Sequence, residues 1–333
     1  MKILVLGSGA WGSALANVIS DNNHECLIYG RNIDEVNEIN LNHSNKKYLE
    51  NINLNKNIKA SNSLEYSLKE YNPEIILIAT PSTSLVSICE SIKKYCSNNP
   101  LIINVSKGLD QKTFKPLSET IRDNLKDFKY QEVVTLIGPS FAIEVANKEL
   151  TLISAVCRNI EYSKKVQKLF STSYFRIYSN DDEIGAEYGA CIKNVIAICS
   201  GIAMGLGYKE NAKAALITRG LHEMTLFGIK MGAKKETYLG LTGIGDLFLT
   251  CSSFKSRNYS LGYEIGKINS AKEILEKNTK TVEGVVACKY LYEASKKLNI
   301  EMPLTRSCYN VLYNNKKPSE EVRLLMEREL KKE

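Results

Sequence analysis

The chain has 333 residues, of which 44% are hydrophobic and 24% are charged, and its formal net charge is +7. This length allows two domains with separate cores, and the composition is typical of a globular protein rather than a disordered or fibrous one. The positive charge is spread through lysine- and asparagine-rich segments, without the dense basic block or aromatic-basic alternation typical of nucleic-acid-binding proteins. We therefore expect small anionic molecules as partners and no nucleic acid.

The cysteines indicate a reducing compartment. The chain has 9 of them, and none lies in a CxxC pair or beside a histidine cluster. This pattern favours free thiols and gives no zinc signature, so we expect no metal site. The apolar run at the N-terminus, about five residues long, is too short for an export signal. These features predict a cytoplasmic protein.

The first predicted strand leads into a glycine-rich turn. Residues 2–6 form the strand, residues 7–12 read GSGAWG, and a helical pattern follows. Strand, GxGxxG and helix in this order indicate a dinucleotide-binding turn, with an ordinary glycine turn as the alternative. Glycines allow a tight turn, a backbone close to pyrophosphate, and a helix packed closely on its strand.

The second predicted strand bears on cofactor preference. It covers residues 25–29 and ends at Gly30 and Arg31. A site that prefers NAD usually places an acid at the end of this strand for the ribose 2′-hydroxyl. Here the first acid after the strand is Asp34. Because Arg31 suits a 2′-phosphate, the sequence favours NADPH, with a solvated surface arginine as the alternative.

Further predicted strands end in polar loops. The strands cover residues 75–79, 101–105 and 133–137, and their loops are residues 80–82, 106–108 and 138–140. In an open parallel sheet the ligand lies beyond the carboxyl ends of the strands, so these loops should gather at one edge. Lys107 would then face the ligand, and a helix beginning after Ser140 would offer free amides to an anion. Apolar runs at 150–156 and 175–178 would complete a Rossmann-type, mostly parallel sheet domain over residues 1–180.

A buried helix is predicted over residues 181–205, at the start of a helical second domain that covers residues 181–333. Acidic residues at its head suit a helix start, and the residues after Tyr188 are apolar or small on every side. Lys193 is the one charged residue past Glu187 in this run. A buried ammonium needs a partner carboxylate, a cavity or a lowered proton affinity, and each outcome makes Lys193 a candidate site residue.

Two other interpretations apply to this helix. Lys193 could lie along apolar surface with its ammonium in water, but the helix offers no polar face to reach along. The second interpretation is a membrane span. It is disfavoured because the apolar run contains Lys193, Asn194 and several glycines. We expect no membrane span.

The second domain contains one polar loop with binding character. Helical patterns surround it near residues 212–231, 260–275, 285–298 and 320–330. Glycines over residues 240–247 allow a close approach of the backbone, and residues 256–258 read Ser-Arg-Asn. A guanidinium with hydroxyl and amide donors suits a phosphate, with a capped loop and a solvated arginine as the alternative.

These motifs occur together in one family. The chain resembles the bacterial-type NAD(P)-dependent glycerol-3-phosphate dehydrogenases nearly end to end, at residues 7–12, 106–108, 138–142, 193–197, 218–221, 243–247, 256–258 and 282–285. The resemblance implies an α/β fold with a Rossmann-type N-terminal domain and an all-helical C-terminal domain. It also implies reversible, NAD(P)H-dependent reduction of dihydroxyacetone phosphate to sn-glycerol 3-phosphate for phospholipid synthesis, by a homodimer.

The resemblance further implies roles for individual residues, with Lys193 as the catalytic proton donor and acceptor. Arg257 and Asn258 would hold the substrate phosphate. The substrate-contacting positions are Lys107, Gly138, Ser140, Lys193, Asp246, Ser256, Arg257 and Asn258. The cofactor positions are Gly7, Gly9, Ala10, Trp11, Gly12, Arg31, Lys107, Ala142, Arg257, Thr281 and Glu283. The expected cofactor is NADPH or NADH, with NADPH favoured by Arg31.

Two other functions remain open. A related hydroxyacid dehydrogenase or ketopantoate reductase would also place a lysine on the helix after the first domain, but its substrate carries a carboxylate. A non-catalytic dinucleotide-binding module would be expected to have lost part of the site. Because Lys107, Lys193, Asp246 and Arg257 are all present, the sequence favours an enzyme.

Overall fold

The computed structural model describes residues 1–110, 112–278, 282–330 and 332. The chain divides into two compact units, Met1–Glu183 and Ile184–Glu333. The N-terminal unit is built on a mostly parallel sheet and the C-terminal unit is helical, which confirms the predicted fold class.

The strands of the N-terminal unit follow the predicted runs, with additions where the sequence is polar. They are β1 (Lys2–Leu6), β2 (Glu25–Tyr29), β3 (Ser44–Asn45), β4 (Leu49–Asn53), β5 (Lys59–Ser61), β6 (Ile75–Ile78), β7 (Leu101–Asn104), β8 (Val133–Ile137), β9 (Thr151–Val156) and β10 (Phe175–Asn180). The sequence analysis did not predict β3, β4 or β5.

The described strands form an eight-stranded sheet in the order β10-β9-β8-β7-β6-β1-β2-β5, while β3 and β4 pair as a separate hairpin. Neighbouring strands in the sheet are parallel, except that β8 and β9 are antiparallel. Because β1, β6, β7 and β8 run in one direction, their carboxyl ends lie at the same edge. The strand order reverses between β1 and β6, and open sheets of this kind bind ligands at such a point.

Helices cover both faces of this sheet. They are α1 (Ala10–Asp21), α2 (Ile33–Asn42), α3 (Leu64–Lys69), α4 (Leu85–Tyr95), α5 (Leu117–Leu125), α6 (Ala142–Ala146) and α7 (Ile160–Phe170). In β1, Ile3 and Val5 belong to one core cluster, whereas Leu4 and Leu6 belong to another. Alternate residues of a strand face opposite sides, so a strand covered on both faces is continuously apolar, as this one is.

The C-terminal unit is made of α8 (Glu183–Gly205), which begins at the border, α9 (Glu210–Lys230), α10 (Asp246–Cys251), α11 (Arg257–Ile268), α12 (Lys272–Lys277), α13 (Glu283–Leu298), α14 (Pro303–Tyr313) and α15 (Pro318–Met326). The single helix expected near residues 260–275 is wrong. Asn269 adopts a left-handed conformation with φ 58° and ends α11 before α12 begins. Asparagine tolerates this conformation better than most residues, which explains the break.

The sequence analysis also missed α14, whose start depends on a carboxylate from α9. Glu223 is 2% exposed and accepts hydrogen bonds from the Leu304 and Thr305 amides, at 2.5 and 3.1 Å, and from Thr305 Oγ1 at 2.9 Å. These amides belong to the first turn of α14, where they have no partner within the helix. A distant side chain therefore completes this helix start.

Helices α8 and α11 contact each other through their backbones. A Cβ added to Gly201 would lie 2.1 Å from the Tyr259 carbonyl oxygen, and one added to Gly262 would lie 2.2 Å from the Ile198 carbonyl oxygen. One turn further along, a Cβ added to Gly205 or to Gly266 would likewise lie 2.2 Å from a carbonyl oxygen of the other helix. The two helices are therefore parallel, and residues 198–205 of α8 pack against residues 259–266 of α11.

Among the described residues, α8 is the helix that is long and apolar enough to cross a membrane. However, 83% of its apolar window is buried inside the structure. Core helices meet the same length and composition criteria, so the length of α8 is weak evidence for a span.

Candidate active site

The glycine-rich turn after β1 meets the demands of a dinucleotide-binding turn. Gly7 has φ +121°, and a Cβ there would lie 2.7 Å from the Ala79 carbonyl oxygen. A Cβ on Gly12 would lie 2.1 Å from the Gly7 carbonyl oxygen, so this glycine permits close packing of α1. By contrast, a Cβ on Gly9 would meet no described atom within 4 Å, which leaves its backbone accessible to a ligand.

The start of α1 offers hydrogen-bond donors at this turn. Gly9 is the N-cap residue and has no side chain to cap the first amides, which include those of Ala10 and Trp11. Such free amides suit a phosphate group. The indole Nε1 of Trp11 is buried and has no hydrogen-bond partner in the described part of the chain. The residues present therefore fit a bound dinucleotide.

The loops after β6 and β7 are joined beside this turn. Ser106 Oγ donates to the Thr80 carbonyl oxygen at 2.6 Å, and the Ser106 amide donates to Asn104 Oδ1 at 3.1 Å. Lys107 follows this contact and is half-buried. As predicted, these loops lie at the edge formed by the carboxyl ends of β1, β6 and β7.

The loop after β8 lies at the same edge and contains the predicted Gly138, Ser140 and Ala142. A Cβ on Gly138 would lie 2.8 Å from Ile153 Cα, so the neighbouring strand β9 itself requires glycine here. Ser140 Oγ donates to the Gly138 carbonyl oxygen at 3.2 Å, and α6 begins at Ala142. Gly138 thus has a packing role, whatever else it contacts.

The sequence analysis missed an acid, Glu35, that follows β2 and contacts the glycine-rich turn. Arg31 and Asp34 are exposed, whereas Glu35 is buried. Ser8 Oγ, in the glycine-rich turn, donates to Glu35 Oε2 at 2.8 Å. Glu35 lies in the first turn of α2, further along the chain than the position where an acid was sought.

In the C-terminal unit, Lys193 has a carboxylate partner. Its side chain is 3% exposed and its ammonium donates to Asp246 Oδ2, and the Asp246 side chain is 2% exposed. This is the first of the alternatives that the sequence analysis gave for a buried lysine. Breaking such a pair by removing one partner typically costs about 3–5 kcal/mol, because the other charge stays buried.

Tight backbone packing positions Asp246. A Cβ on Gly189 of α8 would lie 2.8 Å from the Thr242 carbonyl oxygen, so the loop before α10 packs directly on α8. Asp246 is the first residue of α10, where the helix amides favour a negative charge. Thr250 Oγ1 donates to the Asp246 carbonyl oxygen at 2.6 Å. The carboxylate is thereby held at the level of Lys193.

The start of α11 lies near Asn194 of α8, because a Cβ added to Gly284 would lie 2.6 Å from Asn258 Oδ1 and 2.7 Å from the Asn194 carbonyl oxygen. Asn258 Oδ1 accepts a hydrogen bond from the Gly284 amide at 2.9 Å. Because the amide oxygen is held in this way, the Asn258 NH₂ group is the part that can serve a ligand as a donor.

Glu283, at the start of α13, links α8 to α11. Asn194 Nδ2 donates to Glu283 Oε2 at 3.3 Å, and Arg257 lies 3.8 Å from Glu283 Oε1. The Arg257 side chain is 60% exposed, so it can still bind a ligand. Asn194 was not among the predicted site residues, although it belongs to the motif that contains Lys193.

Ser256 and Thr281 were also predicted as site residues. Ser256 is the N-cap of α11, and its hydroxyl accepts a hydrogen bond from the Tyr259 amide at 3.3 Å. This cap matches the structural alternative for the loop, although the Arg257–Glu283 pair goes beyond a solvated arginine. Thr281 lies outside the described residues.

Comparisons with known proteins identify the family. The N-terminal and C-terminal models of the NAD-dependent glycerol-3-phosphate dehydrogenase family match residues 2–163 and 182–323. The chain belongs to this family. It is therefore an oxidoreductase that uses NAD(H) or NADP(H), as the resemblance implied.

Relatives match over the full length. A protein of Listeria monocytogenes serotype 4b named glycerol-3-phosphate dehydrogenase (NAD(P)+) is 44% identical over 331 residues, which cover 99% of this chain and 97% of the relative. The protein of that name from Limosilactobacillus reuteri is 39% identical over 335 residues, covering 100% and 98%. The crystal structure of glycerol-3-phosphate dehydrogenase from Coxiella burnetii has 35% identity and a TM-score of 0.88, and covers 98% of each chain.

Proposed function

We propose that the chain reduces dihydroxyacetone phosphate to sn-glycerol 3-phosphate with NADPH or NADH, reversibly, with Lys193 as the proton donor. The activity follows from family membership over both units. The observation that supports the role of Lys193 is its burial against Asp246, which gives a fixed ammonium in surroundings that contain little water.

The two units have different tasks in this proposal. The N-terminal domain, residues 1–180, binds the dinucleotide through the turn at Gly7, Gly9 and Gly12 and the amides of Ala10 and Trp11. The C-terminal domain, residues 181–333, supplies the proton and holds the substrate phosphate. The free helix start and the open space at Gly9 support the first task.

A dinucleotide held at the turn of Gly7, Gly9 and Gly12 would supply the hydride for the carbonyl carbon of the substrate. Lys193 stabilises the negative charge that develops on the carbonyl oxygen and protonates it, and it takes the proton back in the reverse direction. Asp246 keeps the ammonium in one position, so little reorganisation is needed during the reaction.

Arg257 and Asn258 hold the substrate phosphate. The guanidinium can bind two phosphate oxygens, and the Asn258 amide presents its NH₂ group because Gly284 occupies its oxygen. Binding energy at the phosphate thus orients the carbonyl group for reaction. We assign further substrate contacts to Lys107, Gly138, Ser140 and Ser256 on the family resemblance.

NADPH is the favoured cofactor in this proposal. Arg31 is exposed at the end of β2, where a 2′-phosphate would lie. Further cofactor contacts, at Lys107, Ala142, Arg257, Thr281 and Glu283, are proposed from the family resemblance. A homodimer in the cytoplasm that supplies glycerophospholipid synthesis is proposed on the same ground.

The test follows NADPH and NADH oxidation separately, with dihydroxyacetone phosphate and with a panel of 2-keto acids. We expect oxidation with dihydroxyacetone phosphate and at least about tenfold lower kcat/KM with keto acids, since the phosphate contacts are then unused. Preference for a keto acid would indicate a hydroxyacid dehydrogenase or ketopantoate reductase. Cofactor binding without oxidation would indicate a non-catalytic module.

A further inference from the structure

The β3–β4 hairpin is attached to the glycine-rich turn. Asn45 is fully buried, and its Nδ2 donates to the Ser8 carbonyl oxygen at 2.7 Å and to Ser13 Oγ at 2.9 Å. Ser44 Oγ also donates to Glu38 Oε1 of α2 at 2.8 Å. The residues between β3 and β4 are therefore held beside the turn rather than free in solvent.

One of these residues, Lys47, places a cation at the turn. Its ammonium lies 2.7 Å from Glu35 Oε1, and the other oxygen of Glu35 accepts the hydrogen bond from Ser8 Oγ at 2.8 Å. Burial alone would raise the pKa of Glu35, but the hydrogen bonds from Lys47 and Ser8 lower it below its usual value. The carboxylate is thus ionised and paired, while the Lys47 side chain remains 58% exposed.

The end of β2 leaves no room for the acid of an NAD-specific site. A Cβ on Gly30 would lie 2.9 Å from Ser8 Oγ and 3.1 Å from Ser8 Cβ. A larger residue at position 30 would therefore displace Ser8. The carboxylate within reach of the turn is that of Glu35, and Lys47 and Ser8 already occupy it.

The charges around this point suit a phosphate. Ser8 lies against Gly30 at the end of β2, and Arg31 is the next residue in the chain. Ser8 also donates to the Glu35 carboxylate, which in turn binds the Lys47 ammonium. A phosphate monoester carries a charge of about −1.5 to −2 at neutral pH, so Arg31 alone does not balance it. A lysine ammonium has three donor hydrogens, so Lys47 can bind a phosphate oxygen and keep its contact with Glu35.

We propose that Lys47 is a specificity-determining residue that binds the 2′-phosphate of NADP(H) together with Arg31, and that Glu35 positions its ammonium. This inference rests on the NADPH preference in the proposed function. Lys47 lies on the β3–β4 hairpin, which carries no dinucleotide-binding motif. Its position beside the turn depends on the tertiary contacts of Asn45.

The test measures the dissociation constants of NADP+ and NAD+ for the full chain by isothermal titration calorimetry. These ligands differ at the 2′-position alone. Quenching of the single tryptophan, Trp11 in the glycine-rich turn, gives a second signal. We expect Lys47→Ala to weaken NADP+ binding about tenfold, the equivalent of one charge-assisted hydrogen bond, and NAD+ binding by less than about twofold.

Lys46→Ala is the matched control, because it removes one lysine charge from the same hairpin. The contact that the Lys46 backbone amide makes with Glu38 is kept when the side chain is replaced. We expect it to change neither constant by more than about twofold, since exposed charges beyond contact are screened by salt. Lys47→Arg should retain most of the NADP+ affinity. Equal losses in Lys46→Ala and Lys47→Ala, or equal losses of NADP+ and NAD+ affinity in Lys47→Ala, would overturn the inference.

The wild-type chain separates this inference from the proposed function. If it oxidises NADH with dihydroxyacetone phosphate but binds NADP+ no more tightly than NAD+, the reaction stands and the role of Lys47 is refuted. If it prefers NADP+ and Lys47→Ala does not reduce that preference, Arg31 suffices and the inference is also refuted. Failure to oxidise either cofactor with this substrate would instead refute the proposed function.

Discussion

The backbone contact between α8 and α11 provides a direct test of how the C-terminal unit positions its site. In Gly262→Ala, the new Cβ would lie 2.2 Å from the Ile198 carbonyl oxygen, whereas ordinary contacts begin at 3.4 Å. The obstacle is backbone, so no side-chain rotation relieves it. We expect the two helices to move apart by about 1 Å, within the range of backbone shifts that overpacking causes.

The energetic cost can be bounded from two opposing effects. Overpacking a close-packed interior typically costs about 1–3 kcal/mol, and the close contacts at Gly201 and Gly266 would be loosened at the same time. Alanine is better than glycine inside a helix by about 1 kcal/mol. The difference between these effects is about 0–2 kcal/mol, and the loosened contacts add to the cost. We therefore expect a net destabilisation of about 1–2 kcal/mol, which lowers the melting temperature by roughly 2–8 °C for a unit of this size.

The same substitution should affect substrate binding. Asn258 lies one turn before Gly262 on α11, and its amide depends on a 2.9 Å contact with Gly284. A displacement of about 1 Å can reduce catalysis by about 100-fold, so we expect kcat/KM for dihydroxyacetone phosphate to fall at least about tenfold. The KM for NADPH should change much less.

Gly240→Ala is the control for this experiment. A Cβ there would meet the Thr237 carbonyl oxygen at 3.5 Å, an ordinary contact, and the backbone φ of −101° suits alanine. Calorimetry should give a melting temperature within about 1 °C of wild type, since substitutions without such clashes usually change stability by less than about 0.5 kcal/mol. If Gly262→Ala is as stable as wild type or more stable, helix propensity outweighs the contact and the argument from the helix crossing is wrong.

Three further predictions concern single side chains. Lys193→Met should lower turnover by about 100-fold or more in NADPH oxidation assays, and more than about a tenth of wild-type turnover would contradict its role as proton donor. Arg257→Ala should raise the KM for dihydroxyacetone phosphate far more than that for NADPH, whereas equal effects would assign the arginine to the cofactor. Burial raises the pKa of Glu223 from 4.5 to about 7, so the stability it contributes is complete below pH 4.5 and is lost as the pH rises through 7. Glu223→Gln should therefore reduce the change in unfolding free energy between pH 5 and pH 8 by about 2–3 kcal/mol, measured by denaturant titration, and an unchanged pH dependence would contradict this.

The N-terminal sheet could be predicted because its signals are local. A strand that is buried on both faces must be continuously apolar, and the turn at Gly7 needs glycine because its φ of +121° is strained for other residues. The β3–β4 hairpin could not be predicted in this way. Its strands are short and polar, and contacts such as that of Asn45 with Ser8, 37 residues earlier, hold them in place.

In the C-terminal unit, the sequence indicated that Lys193 is buried but could not identify its partner from the pattern of residues. The family resemblance named Asp246 as a substrate contact, and the structure shows its carboxylate against the ammonium. This pairing depends on Gly189, which allows the loop before α10 to reach the backbone of α8. A glycine in a helical pattern does not by itself reveal which segment approaches it.

Close approach of backbones also explains why a lysine is useful in a helix that is otherwise apolar. Glycines bring α11 and the loop before α10 against α8, so little water can reach Lys193, which is 3% exposed. Burying the ammonium is costly, and Asp246 offsets this cost at a fixed position. In such surroundings a charge acts more strongly on a developing oxyanion than it would in water, and it needs no reorientation. The packing that buries Lys193 therefore lowers the stability of the fold and at the same time suits the ammonium to proton transfer.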